Sequence, residues 1–484
     1  MRPNALTASS SSTPNPWAAL PVLLTGAFMV VLDFFIVNVA LPSVATDLRA
    51  GDSALEWIVA GYGLTFAAFL ITAGRLGDDL GRRRVYAIGL ALFVATSAAC
   101  GIAPSPTTLV LARIAQGVAG AVVMPQVLAI IGVTYRGPDY VRALSVYGVV
   151  LGLAAVGGQV VGGALVETDI AGLGWRWCFL ISVPIGLVAL VLTPRLVPES
   201  RSERAVRLDL PGAVAIAVGL TAILLPLIEG RELGWPAWTW ISLALAPAIL
   251  AGFVARQRQL SRRGDDPLLD LALFRERGFS AGLATQVCLA SAQASFFVFL
   301  AFYLQLGRGL GPLESGLVFT ILAGAYVAAS GPAPALTARL GRSVVAFGGV
   351  SLTLGLGLLA LVVSEVGTGG SLLALVPGLA LVGVGTGLCF TPLTSIVLAG
   401  VDASRAGSAS GAMSTTQQVG YALGVAITGV IVFGAADEGI GRAFEVALIQ
   451  LSVCSAGIVV MSRLLPGRAG ETAEALAPAA ATAR

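Results

Sequence analysis

Lysine and histidine are both absent from the 484-residue sequence, so all 29 basic residues are arginines. Without histidine there is no imidazole proton relay and no histidine-held metal, and without lysine there is no Schiff base. Arginine keeps its proton in proteins. Proton handling would therefore fall to a carboxylate tuned by its surroundings. Charge of either sign is scarce, at 11% of residues, where soluble domains carry about 25%. A soluble fold of this size could not cover its surface with so little. The five cysteines (Cys100, Cys178, Cys288, Cys389 and Cys454) are isolated and lie in or beside apolar runs. Their expected role is packing, since buried free cysteine behaves as a small hydrophobe. A phosphate loop of the Gly-x4-Gly-Lys-Ser/Thr type is missing, which excludes an ATPase within this chain. No catalytic triad or metal-ligand cluster is present, so neither an enzyme, a cofactor nor a metal site is expected.

What the sequence has is apolar length. Hydrophobic residues make up 56%, the mean hydropathy is +0.89, and runs of about twenty apolar residues recur from end to end, the mark of a polytopic helical membrane protein. Fourteen spans are predicted, at 17–41, 55–75, 85–103, 107–131, 140–166, 175–196, 209–229, 237–256, 279–305, 314–336, 343–364, 371–399, 406–434 and 442–464. An even count puts both termini on one side. With the termini inside, the inner loops and tails hold 23 arginines and the outer loops hold five: Arg49, Arg176, Arg231, Arg308 and Arg442. That bias follows the positive-inside rule and predicts cytoplasmic termini on a multi-pass cell-membrane protein. Residues 1–16 and 465–484 are expected to be disordered cytoplasmic tails. No short apolar region with a cleavage site precedes span 1, so that span is expected to stay as a signal anchor.

Motifs recur at an offset of eight spans. "GRLGDDLGRRRV" after span 2 resembles "ALTARLGRSVV" after span 10; "GAVVMP" in span 4 resembles "GLCFTP" in span 12; "GQVVGGAL" in span 5 loosely matches "QQVGYALG" in span 13. This pattern predicts two related six-helix bundles, 17–200 and 279–464, with two inserted helices in 201–278. Transporters are commonly built from such repeats, with the substrate site between them. The arginine-rich segments flanking the insert are read as topology signals that touch anionic headgroups; nothing supports a nucleic-acid partner.

Asp33, in "AFMVVLDFFIVNVALP", sits where a charge costs roughly 2.5–3.5 kcal/mol, about 12 Å below the span's outer end at Leu41. Arg113 lies inside span 4. The two are the only formal charges placed well within spans, and each is the other's obvious partner. Burial favours the neutral acid, whereas an adjacent guanidinium favours the carboxylate. A proton carrier at Asp33 would need both conditions at different moments. In the loop "GRLGDDLGRRR", Gly74 and Gly81 allow a tight reversal, and Asp78 with Arg82 and Arg83 forms either a latch between bundles or an ordinary positive-inside turn. In span 5, Gly158, Gly162 and Gly163 permit close helix approach beside Gln159. Tyr62, Gln126, Gln293, Phe297, Thr391 and Gln417 are candidates for lining a cavity, with helix–helix hydrogen bonding or packing as the alternative. Glu167, Glu229 and Glu445 lie near outer ends, where hydration makes a carboxylate cheap.

The stretch Gly74, Leu76, Asp78, Gly81, Arg82, Arg83 resembles the loop 2–3 signature of the major facilitator superfamily, departing from it at Asp79, where arginine is usual. "LDFFIVNVALP" is similar to the span 1 pattern of fourteen-helix drug:proton antiporters of the EmrB/QacA type, with Phe35 in place of threonine. "ARIAQGVAGA" around Arg113, Gln116 and Gly117, "GWRWCFLISVPIGL" and "PLESGL" are similar to that family too. Its span 5 signature is matched by Gly158, Gly162 and Gly163, with Gln159 in place of proline. The resemblance implies an all-α major facilitator fold around a central cavity. It further implies proton-coupled efflux of small amphipathic or hydrophobic compounds by alternating access. Asp33 and Arg113 would handle the proton, and Asp78 with Arg82 would stabilise one closed face. A symporter or facilitator for a metabolite on the same fold, or a non-transporting sensor or assembly partner, remains an open alternative. In every case the membrane lipid is a partner.

Overall fold

A backbone surrounded by lipid must satisfy its own hydrogen bonds, and a long apolar run does so most simply as a helix. The computed structural model describes residues 16–201, 209–265, 267–399, 401 and 406–466. The expected tails fall outside the described residues apart from Pro16, Leu465 and Pro466. Among the described residues there are fourteen helices long and apolar enough to cross a membrane, and no strands. Their main helices are α1 (Pro16–Asp47), α2 (Asp52–Leu80), α3 (Arg82–Gly101), α4 (Pro106–Thr134), α5 (Pro138–Thr168), α6 (Ser182–Leu196, the longest piece of a span that runs Gly174–Leu196), α7 (Leu210–Glu232), α8 (Ala237–Arg263), α9 (Arg277–Phe302), α10 (Pro312–Ser330), α11 (Ser343–Val366), α12 (Val376–Ala399), α13 (Ala406–Gly434) and α14 (Ile440–Ser462).

Two spans differ from expectation. A separate turn, Trp177–Leu180, precedes α6. The tenth span stops at Ser330 and resumes as Ala333–Leu340, broken where Gly331 and Pro332 interrupt the ladder. Elsewhere boundaries follow the local chemistry. Gly81, at φ 105°, supplies the conformation that separates α2 from α3.

Packing partners repeat at the same offset of eight helices. In the first half α2 and α3 both pack on α4, α1 packs on α5 and α6, and α3 on α6; in the second, α10 and α11 pack on α12, α9 on α13 and α14, and α11 on α14. Between the halves, α5 meets α10, α2 meets α13 and α1 meets α9. The inserted α7 lies along the α2–α13 seam, where Leu220, Leu224 and Ile228 pack with Ala60, Leu64, Ala422 and Ala426. Helix α8 packs on α7.

The two ends of this assembly are unlike. At the end away from the termini, Gly163 of α5 lies against the backbone of Pro312 and Leu313, and Gly316 of α10 lies against that of Gln159. A Cβ at either glycine would collide with backbone. Glu167 Oε2 accepts from the Leu313 amide at 3.0 Å, closing the contact. About three turns toward the termini on the same helix faces, Gly152 has nothing opposite it and Val327 is exposed. The halves therefore touch at the far end and diverge toward the end that carries the chain termini.

The insert is fastened through Asp209, just ahead of α7. Its carboxylate accepts from the Gly212 amide at 2.9 Å, Arg256 Nε at 2.7 Å and Gln257 Nε2 at 2.8 Å. Burial works to raise this acid's pKa, but the hydrogen bonds from Gln257, Arg256 and Gly212 outweigh it and hold the carboxyl below its usual 3.8. Removing such a cap costs about 1–2 kcal/mol. Asp209→Ala should therefore lower the thermal unfolding midpoint. Because the native pKa is depressed, the stabilisation is complete above pH 3.8 and lost as pH falls through the native value. Melts from pH 7 down to pH 3.5 should show a deficit that is constant until the acid end, where it begins to narrow.

Candidate functional site

Four helices of the first half place polar side chains at one point. Arg113 and Gln116 lie three residues apart and so share one face of α4. Helix α2 is drawn close to that face at Gly117, which packs against the Tyr62 backbone and the Thr65 side chain with no room for a Cβ. Thr65 Oγ1 donates to the Ile114 carbonyl at 2.8 Å across the same contact. This approach brings the Ile58 carbonyl within 2.9 Å of Arg113 Nε, which donates to it. Helix α1 supplies Asp33 and α3 supplies Ser97 and Cys100.

The result is a closed ring of hydrogen bonds. Arg113 Nη1 pairs with Asp33 Oδ2 and donates to Gln116 Oε1 at 2.7 Å. Gln116 Nε2 returns to Asp33 Oδ1 at 2.8 Å and reaches Ser97 Oγ at 2.9 Å. The Tyr62 ring lies 4.3 Å from the guanidinium carbon, a cation–π contact. Asp33, Arg113, Gln116 and Ser97 are each 0% exposed. Arg113 Nη2 has no hydrogen-bond acceptor among the described residues. Held in this way, the carboxylate has its charge answered and water excluded.

The next two residues of α1 face the other half. Phe34 stacks on Tyr421 of α13 (centroids 4.9 Å apart, 30° between planes), and Phe35 meets Phe297 of α9 at 5.4 Å. Phe34 also reaches Tyr62 at 6.0 Å, and Phe297 reaches Phe319 of α10 at 5.2 Å. Tyr421 Oη accepts from Gln417 Nε2 at 2.8 Å and donates to Gln293 Oε1 at 3.2 Å. An aromatic seam thus crosses the interface, one residue along α1 from the buried pair.

Of the expected site residues, Asp33 and Arg113 come together, and Gln293, Phe297 and Gln417 gather at the seam. Tyr62 sits between Arg113 and Phe34, its hydroxyl 3.3 Å from the Val30 carbonyl. Gln126 lies instead inside the first half, fully buried, where Nε2 donates to the Ala73 carbonyl at 2.8 Å and ties α4 to α2. Thr391 is exposed on α12, away from the ring cluster. Gly158 and Gly162 pack on the α1 backbone near Ile36, and Gln159 Nε2 donates to the Phe35 carbonyl at 3.0 Å. In the 2–3 loop Asp78 pairs with Arg82 at 2.7 Å, one turn away. The Arg82 amide donates to the Ser200 carbonyl at 2.9 Å, and the Arg83 amide to Glu199 at 3.1 Å. Gly74 faces Pro125 and Gly77 faces Gln126. All of these partners belong to the first half or the segment that follows it, consistent with halves parted at this end. Gln116 was legible only as part of the family signature around Arg113; its spacing of three residues from Arg113 also places it at the site. Ser97, Phe34 and Tyr421 gave no comparable signal.

Residues 23–425 match the Major Facilitator Superfamily. The chain is 36% identical over 462 residues to the probable actinorhodin transporter of Streptomyces coelicolor, covering 93% of this chain and 78% of that one. It is 33% identical over 434 residues to the tetracenomycin C resistance and export protein of Streptomyces glaucescens (88% and 78% covered). To the puromycin resistance protein pur8 of Streptomyces alboniger it is 34% identical over 475 residues (93% and 92% covered). Among solved structures it is similar to a bacterial homologue of the human lysosomal transporter Spinster, with a TM-score of 0.67 at 17% identity over 94% of this chain and 98% of that one. A POT family transporter follows, with a TM-score of 0.66 at 14% identity over 94% and 96%. The chain belongs to the major facilitator superfamily and is a multi-pass membrane transporter with that fold.

Breaking a buried ion pair by removing one partner costs about 3–5 kcal/mol, because the other charge is stranded. Arg113→Ala should destabilise by that order in detergent unfolding. Adding Asp33→Asn should recover part of the loss, so that the double variant falls short of the summed single effects by more than about 1 kcal/mol. Strict additivity would mean that the pair is not coupled.

Proposed function

We propose that this transporter exports small, amphipathic or hydrophobic molecules from the cytoplasm in exchange for protons, by alternating access. The observation that carries the reading is the enclosed Asp33–Arg113 pair, placed one residue from the Phe34 and Phe35 seam between the halves. In a chain without lysine or histidine, Asp33 is the acid set deepest among the helices. The parted end is taken as cytosolic, since it carries the arginine-rich loops and both termini.

The cycle then runs as follows. With the cytosolic end open, Arg113 holds Asp33 as a carboxylate and a proton released there leaves to the cytosol. A substrate entering from the cytosol settles at the ring-lined seam, where flat or apolar surfaces find Phe34, Phe35, Phe297 and Tyr421, and where Gln293 and Gln417 offer polar contacts. Substrate held by Phe34 and Phe35 keeps α1, and with it Asp33, in the paired position until the halves rock. Once the halves have rocked to the other side, Asp33 leaves Arg113 and loads a proton from outside as the substrate departs. Asp78, Arg82 and Arg83 would then reach across the closed cytosolic end, with Gly74 and Gly81 allowing the approach. The glycine face of α5 (Gly158, Gly162, Gly163) with Gln159 serves as the surface on which α1 and α10 shift. A proton moving down 100 mV yields about 2.3 kcal/mol, before any pH gradient is added.

Relatives named for actinorhodin, tetracenomycin C and puromycin export or resistance support a substrate of antibiotic type. By linkage, a substrate that prefers the paired state must expel a proton on binding. Adding puromycin, tetracenomycin C or ethidium to the detergent-purified protein in weak buffer should release protons from the wild type. The same addition to Asp33→Asn should release none. Equal release from the variant would sink this mechanism.

A further inference from the structure

The far-end seam between α2 and α13 holds a carboxylate that the mechanism above does not use. Glu56, one turn into α2, is 4% exposed, and its Oε2 has no hydrogen-bond partner among the described residues. Its carboxyl group lies directly on Gly429 of α13, so close that a Cβ there would overlap it. The contact is one of those that hold the halves together at this end.

The charged neighbours are mostly of the wrong sign. Helix α2 itself brings Asp52, and α7 brings Glu229, Arg231 and Glu232. Helix α13 has no ionisable side chain between Val419 and Gly434 other than the Tyr421 phenol. The one cation is already engaged, because Arg231 Nη2 pairs with Asp52 at 2.6 Å and its guanidinium lies over the Phe433 ring at 5.2 Å. The other two acids are satisfied elsewhere. Glu229 accepts from Trp57 Nε1 at 2.8 Å, and Glu232 accepts from the Ser53 amide at 3.0 Å and its hydroxyl at 2.8 Å. An ionised Glu56 in this position would be desolvated, unpaired and repelled by three carboxylates, a far more costly state than the neutral acid.

We propose that Glu56 is a second proton site of this transporter, and that the far-end gate between α2 and α13 closes only when its carboxyl carries a proton. When the gate opens, Gly429 withdraws, water reaches the carboxyl and the proton leaves to the outer solution. Closure requires one to be taken back from the same side. The proposal rests on the alternation of the two halves argued above. It adds a proton-operated catch at the outer gate, separate from Asp33. Its consequence is directional, since outside acidity would favour return to the cytosol-open form shown by this structure.

The test reads the gate rather than the transport. Spin labels carried by noncanonical amino acids at Arg49 and Asp437, both exposed at the far end, report the α2–α13 separation in nanodiscs. The background is Asp33→Asn, which silences the first site. The closed-to-open ratio should fall about tenfold between pH 5.5 and pH 7.5, well within the limit of tenfold per pH unit for one proton. Glu56→Gln should hold the gate closed across that range. Gly429→Ala, whose added methyl takes the space of the carboxyl, should bias the gate open at every pH, and it carries the test should Glu56→Gln fail to fold. A parent with no pH response, or a Glu56→Gln variant that keeps the parent's response, would overturn the proposal. Failure of the Asp33 mechanism would show separately, as proton release that survives Asp33→Asn while the gate still answers to Glu56.

Discussion

One interaction constrains the rest: a carboxylate and a guanidinium held together at zero exposure among four helices. Neither charge is tolerable there alone. The effective penalty for burying an ion is several kcal/mol after relaxation, and only good geometry with further hydrogen bonds offsets it. Gln116 and Ser97 supply those bonds on one side, and the Ile58 carbonyl and Tyr62 ring supply the rest on the other. Helix packing in the first half follows from this need. The glycine at 117 lets α2 come near enough for its backbone to serve Arg113.

The interface between the halves is built differently. Within the halves small residues bring helices into backbone contact, as at Gly158 on α1 and Gly385 on the Leu352 backbone. At the far end the same device joins the halves through Gly163 and Gly316, while Gly429 leaves room for the Glu56 carboxyl. Deeper in, aromatic rings meet edge and face, a contact that can be opened without leaving an unsatisfied polar group. The far-end glycine contacts thus hold the halves together in this structure, and in the proposed cycle the rings would form the seam that a ligand parts. Asp33, Phe34 and Phe35 lie within a single turn of α1, which is how the proposed cycle ties events at the seam to the ion pair.

Much of this was legible in the residues. Fourteen helices follow from apolar length, because lipid leaves the backbone few other options. The partnership of Asp33 and Arg113 followed from scarcity, since each is the other's sole plausible deep counterion. Three of the six residues considered for the cavity reach the seam. Gln126 does not, because a glutamine in a span can equally be consumed by a neighbouring backbone carbonyl, here that of Ala73. Thr391 has no sequence feature that tells its face of α12 from another. The 2–3 loop pairs within its own half because the halves are parted at that end; in the proposed cycle it would latch only in the opposite state. Glu56 escaped notice because an acid near an outer span end looks hydrated. Only the approach of α13 buries it, and no pattern within α2 records that contact.

The central claim is that Asp33 is protonated in one state and paired in the other. Infrared difference spectroscopy on the transporter in nanodiscs reads this directly. Substrate addition at mildly acid pH should remove a carbonyl-stretch band of a protonated carboxylic acid and add a carboxylate band, and both changes should vanish in Asp33→Asn. The same pair of bands persisting undiminished in Asp33→Asn, or a wild-type spectrum without them despite bound substrate, would contradict the account.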